Sequence, residues 1–177
     1  MSDNLNISSD KTEKNAHGHH EALYDHFVEH ARKLFDLSQE KSKETIEKAM
    51  EAAHRQLSDA GEFSVEQGEA FKKFMNRDLE EMARYMTTLK QEAKERLHPA
   101  RLGAGALSSM AQLLKAADLV VQSLLQKTEE ALHYHTGEIT SAGTLSCIEC
   151  GQKVHLKHTS KIPPCPSCYA TKFFKGY

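Results

Sequence analysis

The stretch Cys147-Ile148-Glu149-Cys150, followed fourteen residues later by Cys165-Pro166-Ser167-Cys168, decides how the last part of this chain folds. A Cys-x2-Cys turn brings two thiolates to one side of a tight loop. Two such turns complete a tetrahedron around Zn²⁺, with Zn–S near about 2.3 Å. The intervening residues, Gly151 to Pro164, suffice for a strand, a turn and a return. Gly151 sits just after the first pair, where positive φ is favoured, and Pro164 and Pro166 stiffen the approach to the second. Strand candidates flank the pairs: Thr144–Ser146, Lys153–Leu156 and Thr171–Phe174. Three short strands and two cysteine turns predict a small three-stranded β zinc ribbon over residues 135–177.

The energetics favour a metal. A module of about 40 residues has too little core to fold alone, whereas a structural Zn²⁺ contributes an apparent ~10–16 kcal/mol. The expectation is one structural zinc ion held by Cys147, Cys150, Cys165 and Cys168. Two disulfides, a redox dithiol and an iron–sulfur centre are the alternative uses of these four residues. His155 and His158 lie between the pairs and could replace a cysteine, but four thiolates already close the shell. A closed shell has no position for a reacting water, so no catalysis is expected from this ion.

Upstream, the apolar residues recur in steps of three and four, the signature of helices with one buried face. A first helix is expected from Glu21 to Ala60, with Leu23, Phe27, Ala31, Leu34, Ile46, Ala49, Met50, Ala53 and Leu57 on its stripe. Its middle, Ser38 to Glu44, is weakly apolar and is a place to fray or bend. Gly61 is a stop signal. Ser64-x-x-Gln67 reads as a capping box opening a second helix, striped by Phe71, Met75, Leu79, Met82, Met86, Leu89, Ala93 and Leu97 and ended by Pro99. A third helix spans about Ala106 to Tyr134, with Leu107, Leu114 and Val121 in a heptad. These stripes must pack on each other or on a second copy. The short link at Gly61 predicts an antiparallel hairpin of the first two helices. The fold class is therefore mainly α, a coiled-coil-like helical domain over residues 21–134 followed by the ribbon.

Residues 1–20 are rich in Ser, Asp, Asn and Lys, have no apolar period and read as a disordered tail. Its His17-Gly18-His19-His20 cluster could pick up a transition metal, but reads first as incidental histidines in a flexible polar tail. The start of the chain has no apolar segment of the signal-peptide kind, and Leu113–Leu125 is interrupted by Lys115, Asp118, Gln122 and Ser123. No membrane association and a cytoplasmic location are expected, and reduced thiols there suit a metal site. The net charge of -2 hides an asymmetry. From Glu138 onward Lys153, Lys157, Lys161, Lys172 and Lys175 face only Glu138 and Glu149, so the tail module is basic and the helical part acidic.

The segments Tyr134-His135-Thr136-Gly137-Glu138-Ile139, Gly143-Thr144-Leu145-Ser146-Cys147-Ile148-Glu149-Cys150 and Cys165-Pro166-Ser167-Cys168 resemble the bacterial YbeL-like zinc-ribbon-containing proteins. Gly61-Glu62-Phe63-Ser64 and Arg77-Asp78-Leu79-Glu80-Glu81 fit the layout of their helical part. The resemblance implies a helical region, a C-terminal ribbon and the four cysteine ligands. It implies no activity. Tyr169 departs from it, standing where the second cysteine turn usually has Gly. His135 and Glu138 either turn the chain into the ribbon or form a polar site.

The sequence has no phosphate loop, nucleophile elbow or His-Glu-x-x-His zinc motif, so an enzyme is not expected. Three functions remain. The first is a non-catalytic adaptor or interaction scaffold, whose helices meet a protein partner or self-associate. The second is a nucleic-acid-binding ribbon, with His155, Lys157, His158, Lys161, Lys172 and Lys175 at phosphates and Phe173 or Tyr177 stacked on a base. No Arg is present in the ribbon to read base edges. The third is a thiol redox switch that releases zinc on oxidation.

Overall fold

The structure, a computed structural model, describes residues 8–88, 105–116 and 132–177. Its helices are α1 (Ser8–Leu37), α2 (Lys43–Asp59), α3 (Val65–Thr88) and α4 (Ala106–Ala116). The strands follow: β1 (Tyr134–His135), β2 (Ile139–Thr140), β3 (Gly143–Cys147), β4 (Lys153–Leu156), β5 (Ser160–Lys161) and β6 (Lys172–Gly176). The expected fold class stands: a helical layer, then a small antiparallel ribbon with the cysteines at one end.

The expected first helix is two helices. The weakly apolar segment 38–42 breaks it, and α2 folds back on α1 as a hairpin. Local chemistry explains the break. The Lys41 ammonium donates to the Phe35 and Asp36 carbonyls at the end of α1, at 2.6 and 3.1 Å, and lies over the Phe35 ring. Ser42, extended at φ -117, then caps α2 by accepting from the Thr45 N–H at 3.2 Å. A cation satisfying the last carbonyls and a hydroxyl satisfying the first amides supply both groups of orphans that a helix break creates.

The expected disordered tail, 1–20, is helical from Ser8. Once the packed part of α1 is formed, each further residue adds one hydrogen bond without a new nucleation step. The parts of the expected second and third helices at 89–97 and 117–131 lie outside the described residues. Tyr134, placed at the end of the third helix by its sequence, instead starts β1 by pairing with Phe173.

The link between α2 and α3 is as its residues dictate. The Glu62 N–H donates to the Leu57 carbonyl and the Gly61 N–H to Ser58, with Gly61 at φ 76. This is the double C-terminal closure that a left-handed glycine makes possible. Ser64 and Gln67 then exchange bonds: Ser64 N–H to Gln67 Oε1 at 3.1 Å, Gln67 N–H to Ser64 Oγ at 3.2 Å.

The stripes meet in one core. Tyr24, Phe27 and Phe35 of α1, Ile46 and Met50 of α2, Phe71, Met75, Leu79 and Met82 of α3, and Met110, Leu113 and Leu114 of α4 are buried together. Phe63, in the α2–α3 link, stands edge-on to Phe71 with ring centroids 5.4 Å apart. Each such side chain contributes about 1.5–3 kcal/mol on burial. Asp25 of α1 ties in the first turn of α4, its Oδ1 accepting from the Ala106 N–H at 2.7 Å. A carboxylate there meets the positive end of the helix dipole.

The ribbon is larger than the expected three strands. All three form, as β3, β4 and β6, and β1 joins them in a four-stranded sheet of order β1-β6-β3-β4. β2 and β5 pair as a separate two-stranded sheet. The ribbon's own small core is Tyr134, Leu145, Cys147, Ile162, Cys165 and Phe173. Ile139 and Tyr177 belong instead with the helical core, so the ribbon seats directly on the helices. Among the described residues, no helix is long and apolar enough to cross a membrane.

Close packing of α2 on α3 depends on Gly68, where an added Cβ would lie 2.2 Å from the His54 ring and 2.8 Å from the Phe63 ring. Gly68→Ala is expected to destabilise the helical layer by about 1–3 kcal/mol, the usual effect of overpacking. Thermal unfolding followed by circular dichroism measures this, and an unchanged midpoint would refute it.

Candidate metal centre

The two cysteine turns are built alike. In the first, the Gly151 N–H donates to the Cys147 carbonyl and the Cys147 N–H to the Gln152 carbonyl, both at 2.9 Å. In the second, the Tyr169 N–H donates to Cys165 and the Cys165 N–H to Ala170, again at 2.9 Å. The residue after each second cysteine takes positive φ, 72 at Gly151 and 59 at Tyr169. Tyr169 does so with a Cβ, a conformation about 1–2 kcal/mol less favourable for an L-residue. Its ring is 78% exposed, so no packing offsets the strain.

The turns face each other and bring Cys147, Cys150, Cys165 and Cys168 together, with ligand atoms all within 4.8 Å of one another. The Sγ atoms of Cys147 and Cys168 are 3.6 Å apart, as are those of Cys150 and Cys165. Sulfurs at the corners of a tetrahedron with bonds of about 2.3 Å stand about 3.8 Å apart. A disulfide requires about 2.05 Å, and all four cysteines are free. The donor set and spacing therefore fit one zinc ion. Backbone N–H groups of Ser167 and Cys168 are directed at the Cys165 sulfur, and that of Ala170 at the Cys168 sulfur. Such donors favour the thiolate form that a metal needs. Cys147 and Cys165 are buried, while Cys150 and Cys168 face solvent.

Neither His155 nor His158 joins this group. Both are exposed, and His155 Nδ1 is 3.0 Å from the Thr144 hydroxyl. Among the described residues, the four cysteines are the group brought together for a metal, and His19 and His20 of the tail cluster take no part.

A second arrangement, not visible in the sequence, fastens the ribbon. Asp78 of α3 is fully buried, with Lys175 of β6 facing it. The Lys175 ammonium donates to the Thr140 and Ser141 hydroxyls at 2.8 and 2.7 Å and lies 3.5 Å from Asp78 Oδ2. Asp78 also accepts from the Thr140 hydroxyl at 2.8 Å and the Ser141 N–H at 2.9 Å. The Tyr177 hydroxyl donates to the Asp78 carbonyl at 3.2 Å. Burial opposes the charge on Asp78, but Lys175, Arg77 and these hydrogen bonds hold its carboxyl below the usual range. Burial pushes Lys175 down to about 8 against the attraction of Asp78. Lys175, expected at phosphates, is thus an internal counter-charge.

His135 and Glu138 form the turn, and the turn is anchored. Glu138 accepts from the His135 N–H at 3.0 Å and pairs with the Arg77 guanidinium of α3. Arg77 in turn lies 3.9 Å over the Tyr134 ring. On the α1 side the Thr159 hydroxyl donates to Asp25 at 2.6 Å and the Lys161 N–H to Glu21 at 3.1 Å. No local signal marks this junction: Arg77 and Asp78 stand among Lys72, Lys73, Glu80 and Glu81 on the same helix, and their partners lie far along the chain.

A helical layer carrying a ribbon closed by four convergent thiolates defines a zinc-ribbon protein. Residues 33–175 match the zinc-ribbon containing domain family, and the chain belongs to that family. No curated protein and no solved structure matches the chain.

The geometry of the metal centre and of the junction has measurable outcomes. Purified reduced protein should carry one zinc per chain, and Cys150→Ser should lose it. Because β6 supplies the counter-charge of α3, Cys150→Ser should also lower the unfolding midpoint of the helices. Helices indifferent to that substitution would show the junction to be energetically silent. Lys175→Met should cost about 3–5 kcal/mol, the usual effect of leaving one member of a buried ion pair alone. Asp78→Asn combined with Lys175→Met should recover part of that loss in denaturant unfolding. The stabilisation from Asp78 is complete above its unfolded value, near about pH 4, and is lost as pH falls through its lowered native value. Asp78→Asn should therefore flatten the acid limb of the stability profile.

Proposed function

We propose that this chain, as a YbeL-like member of the zinc-ribbon family, is a non-catalytic interaction scaffold of the cytoplasm. In it, zinc fixes the ribbon in one orientation on the helical layer. The observation that supports this reading is the buried junction of Asp78 with Lys175, Thr140 and Ser141. A ribbon used as a free, tethered module has no need of charged groups buried against its neighbour. Burying them is expensive unless each is met, and the geometry they impose is a single relative placement of two surfaces. The four-thiolate shell supports the non-catalytic part, since it offers no open coordination position. The helices would meet a protein partner or a second copy, and the ribbon would present its free faces beside them.

The reading is tested by affinity capture with the intact protein, Cys150→Ser and Lys175→Met. A partner held by the intact chain and lost from both variants is the expected result. A partner retained equally by all three would overturn the scaffold reading, because a fixed ribbon would then be irrelevant to binding.

A redox role has one specific observation in its favour: Cys150 and Cys168 are exposed while their two companions are buried. An oxidant would reach those sulfurs first. Zinc release under mild peroxide, followed with a chromogenic chelator, supports this second reading, and full zinc retention ends it.

A further inference from the structure

The outer face of the four-stranded sheet carries no part of the zinc site or of the junction with the helices. β6 alternates strictly: Phe173 and Lys175 are buried, while Lys172 and Phe174 face out. The strand register sets their neighbours. Ser146 is opposite Phe174 on one side and Lys153 on the other, and Thr144 is opposite His155. His133 stands in T-shaped contact with Phe174, ring centroids 5.0 Å apart. Phe174 is 45% exposed.

One exposed aromatic ring is ordinary on a protein surface. Its surroundings here are not. No outward position of the four strands holds a carboxylate. Glu138, in the turn after β1, is already paired with Arg77, and the exposed Glu149 lies in the first cysteine turn, past the end of β3. The face therefore combines a flat apolar ring with one lysine along its own strand, a second lysine across β3, and the Ser146 hydroxyl between that second lysine and the ring.

We infer that this face binds single-stranded nucleic acid, one base stacking on Phe174 and flanking phosphates meeting Lys153 and Lys172. Alternate residues along a strand lie about 7 Å apart and adjacent strands about 4.8 Å apart, so Lys172 stands about 7 Å from Phe174 along β6 and Lys153 about 10 Å from it across β3, both within reach of the phosphates that flank a base on the ring. Stacking on an aromatic ring requires an unpaired base, because both faces of a base inside a duplex are occupied. An acidic peptide would satisfy the lysines but offers nothing planar to the ring, so it explains half of the arrangement. The ring is Phe174, not Phe173 or Tyr177. Phe173 is buried in the ribbon core, and the Tyr177 hydroxyl is bonded to the Asp78 carbonyl. This goes beyond the scaffold reading and does not depend on it, since it uses a face that the junction leaves free.

The test is fluorescence anisotropy with the full zinc-loaded chain and labelled short oligo-dT and oligo-U, with a duplex of equal length and a polyglutamate peptide as comparisons. The DNA and RNA arms show which strand is preferred. Single strands should bind, with log K falling against log salt at a slope of about −1.4 for two phosphates. Phe174→Ala should weaken binding roughly tenfold or more, and Phe174→Tyr should keep it. Lys153→Gln with Lys172→Gln should bring the salt slope close to zero. The proposal is overturned by absence of binding at low salt, by Phe174→Ala binding as the parent does, or by equal binding of duplex or polyglutamate. Zinc content is measured for every variant. Should Phe174→Ala lose its zinc, the parent's preference for single strand over duplex and polyglutamate decides the matter alone.

Discussion

A carboxylate removed from water must be answered by charge or by hydrogen bonds, and Asp78 is answered almost wholly from the ribbon. Lys175, Thr140 and Ser141 belong to the strands and turns after residue 134, while Asp78 belongs to α3. The ribbon can place these groups only if β6 and the β2 turn are held in register. That register is held by the two cysteine turns at the sheet's far end, because the ribbon's own apolar core is six residues. The metal site and the buried charge are thus two ends of one constraint. Sulfur ligation shapes the module, and the module in turn lets α3 keep a charged side chain in the protein interior.

The same constraint explains why the protein is not simply a helical domain with an appended finger. Asp25 and Glu21 on α1, Arg77 and Asp78 on α3, and Asp25 again at the start of α4 each meet a group on the ribbon or on another helix. These contacts are polar and directional. Apolar packing alone would allow the ribbon to slide over the helices, whereas a buried ion pair with matched hydroxyls has one solution.

Much of this was legible in the sequence because the signals were local. Cys-x2-Cys twice, Gly61, and Ser64-x-x-Gln67 each act within a few residues, and each formed as read. The break at 38–42 was half legible: the loss of apolar period marked the place, but the capping roles of Lys41 and Ser42 become clear only once α1 has ended. The facing of Phe173 and Phe174 needed the register, since two adjacent aromatic residues cannot say which one is inward. The Asp78 junction was not legible at all. It joins residues 97 positions apart, and nothing in a polar residue on a helix says that its partner is a lysine in a strand.

That separation bears on how the protein is made. At synthesis rates of roughly 5–20 residues per second, Lys175 follows Asp78 out of the ribosome by roughly 5–20 s. During this interval α3 carries a bare charge on the surface that it must later bury. The helical layer therefore cannot close fully on itself ahead of the ribbon. Its maturation waits on the last strand and the metal that shapes it, and a shortage of zinc would leave newly made chains with apolar helix faces open to chaperones and proteases.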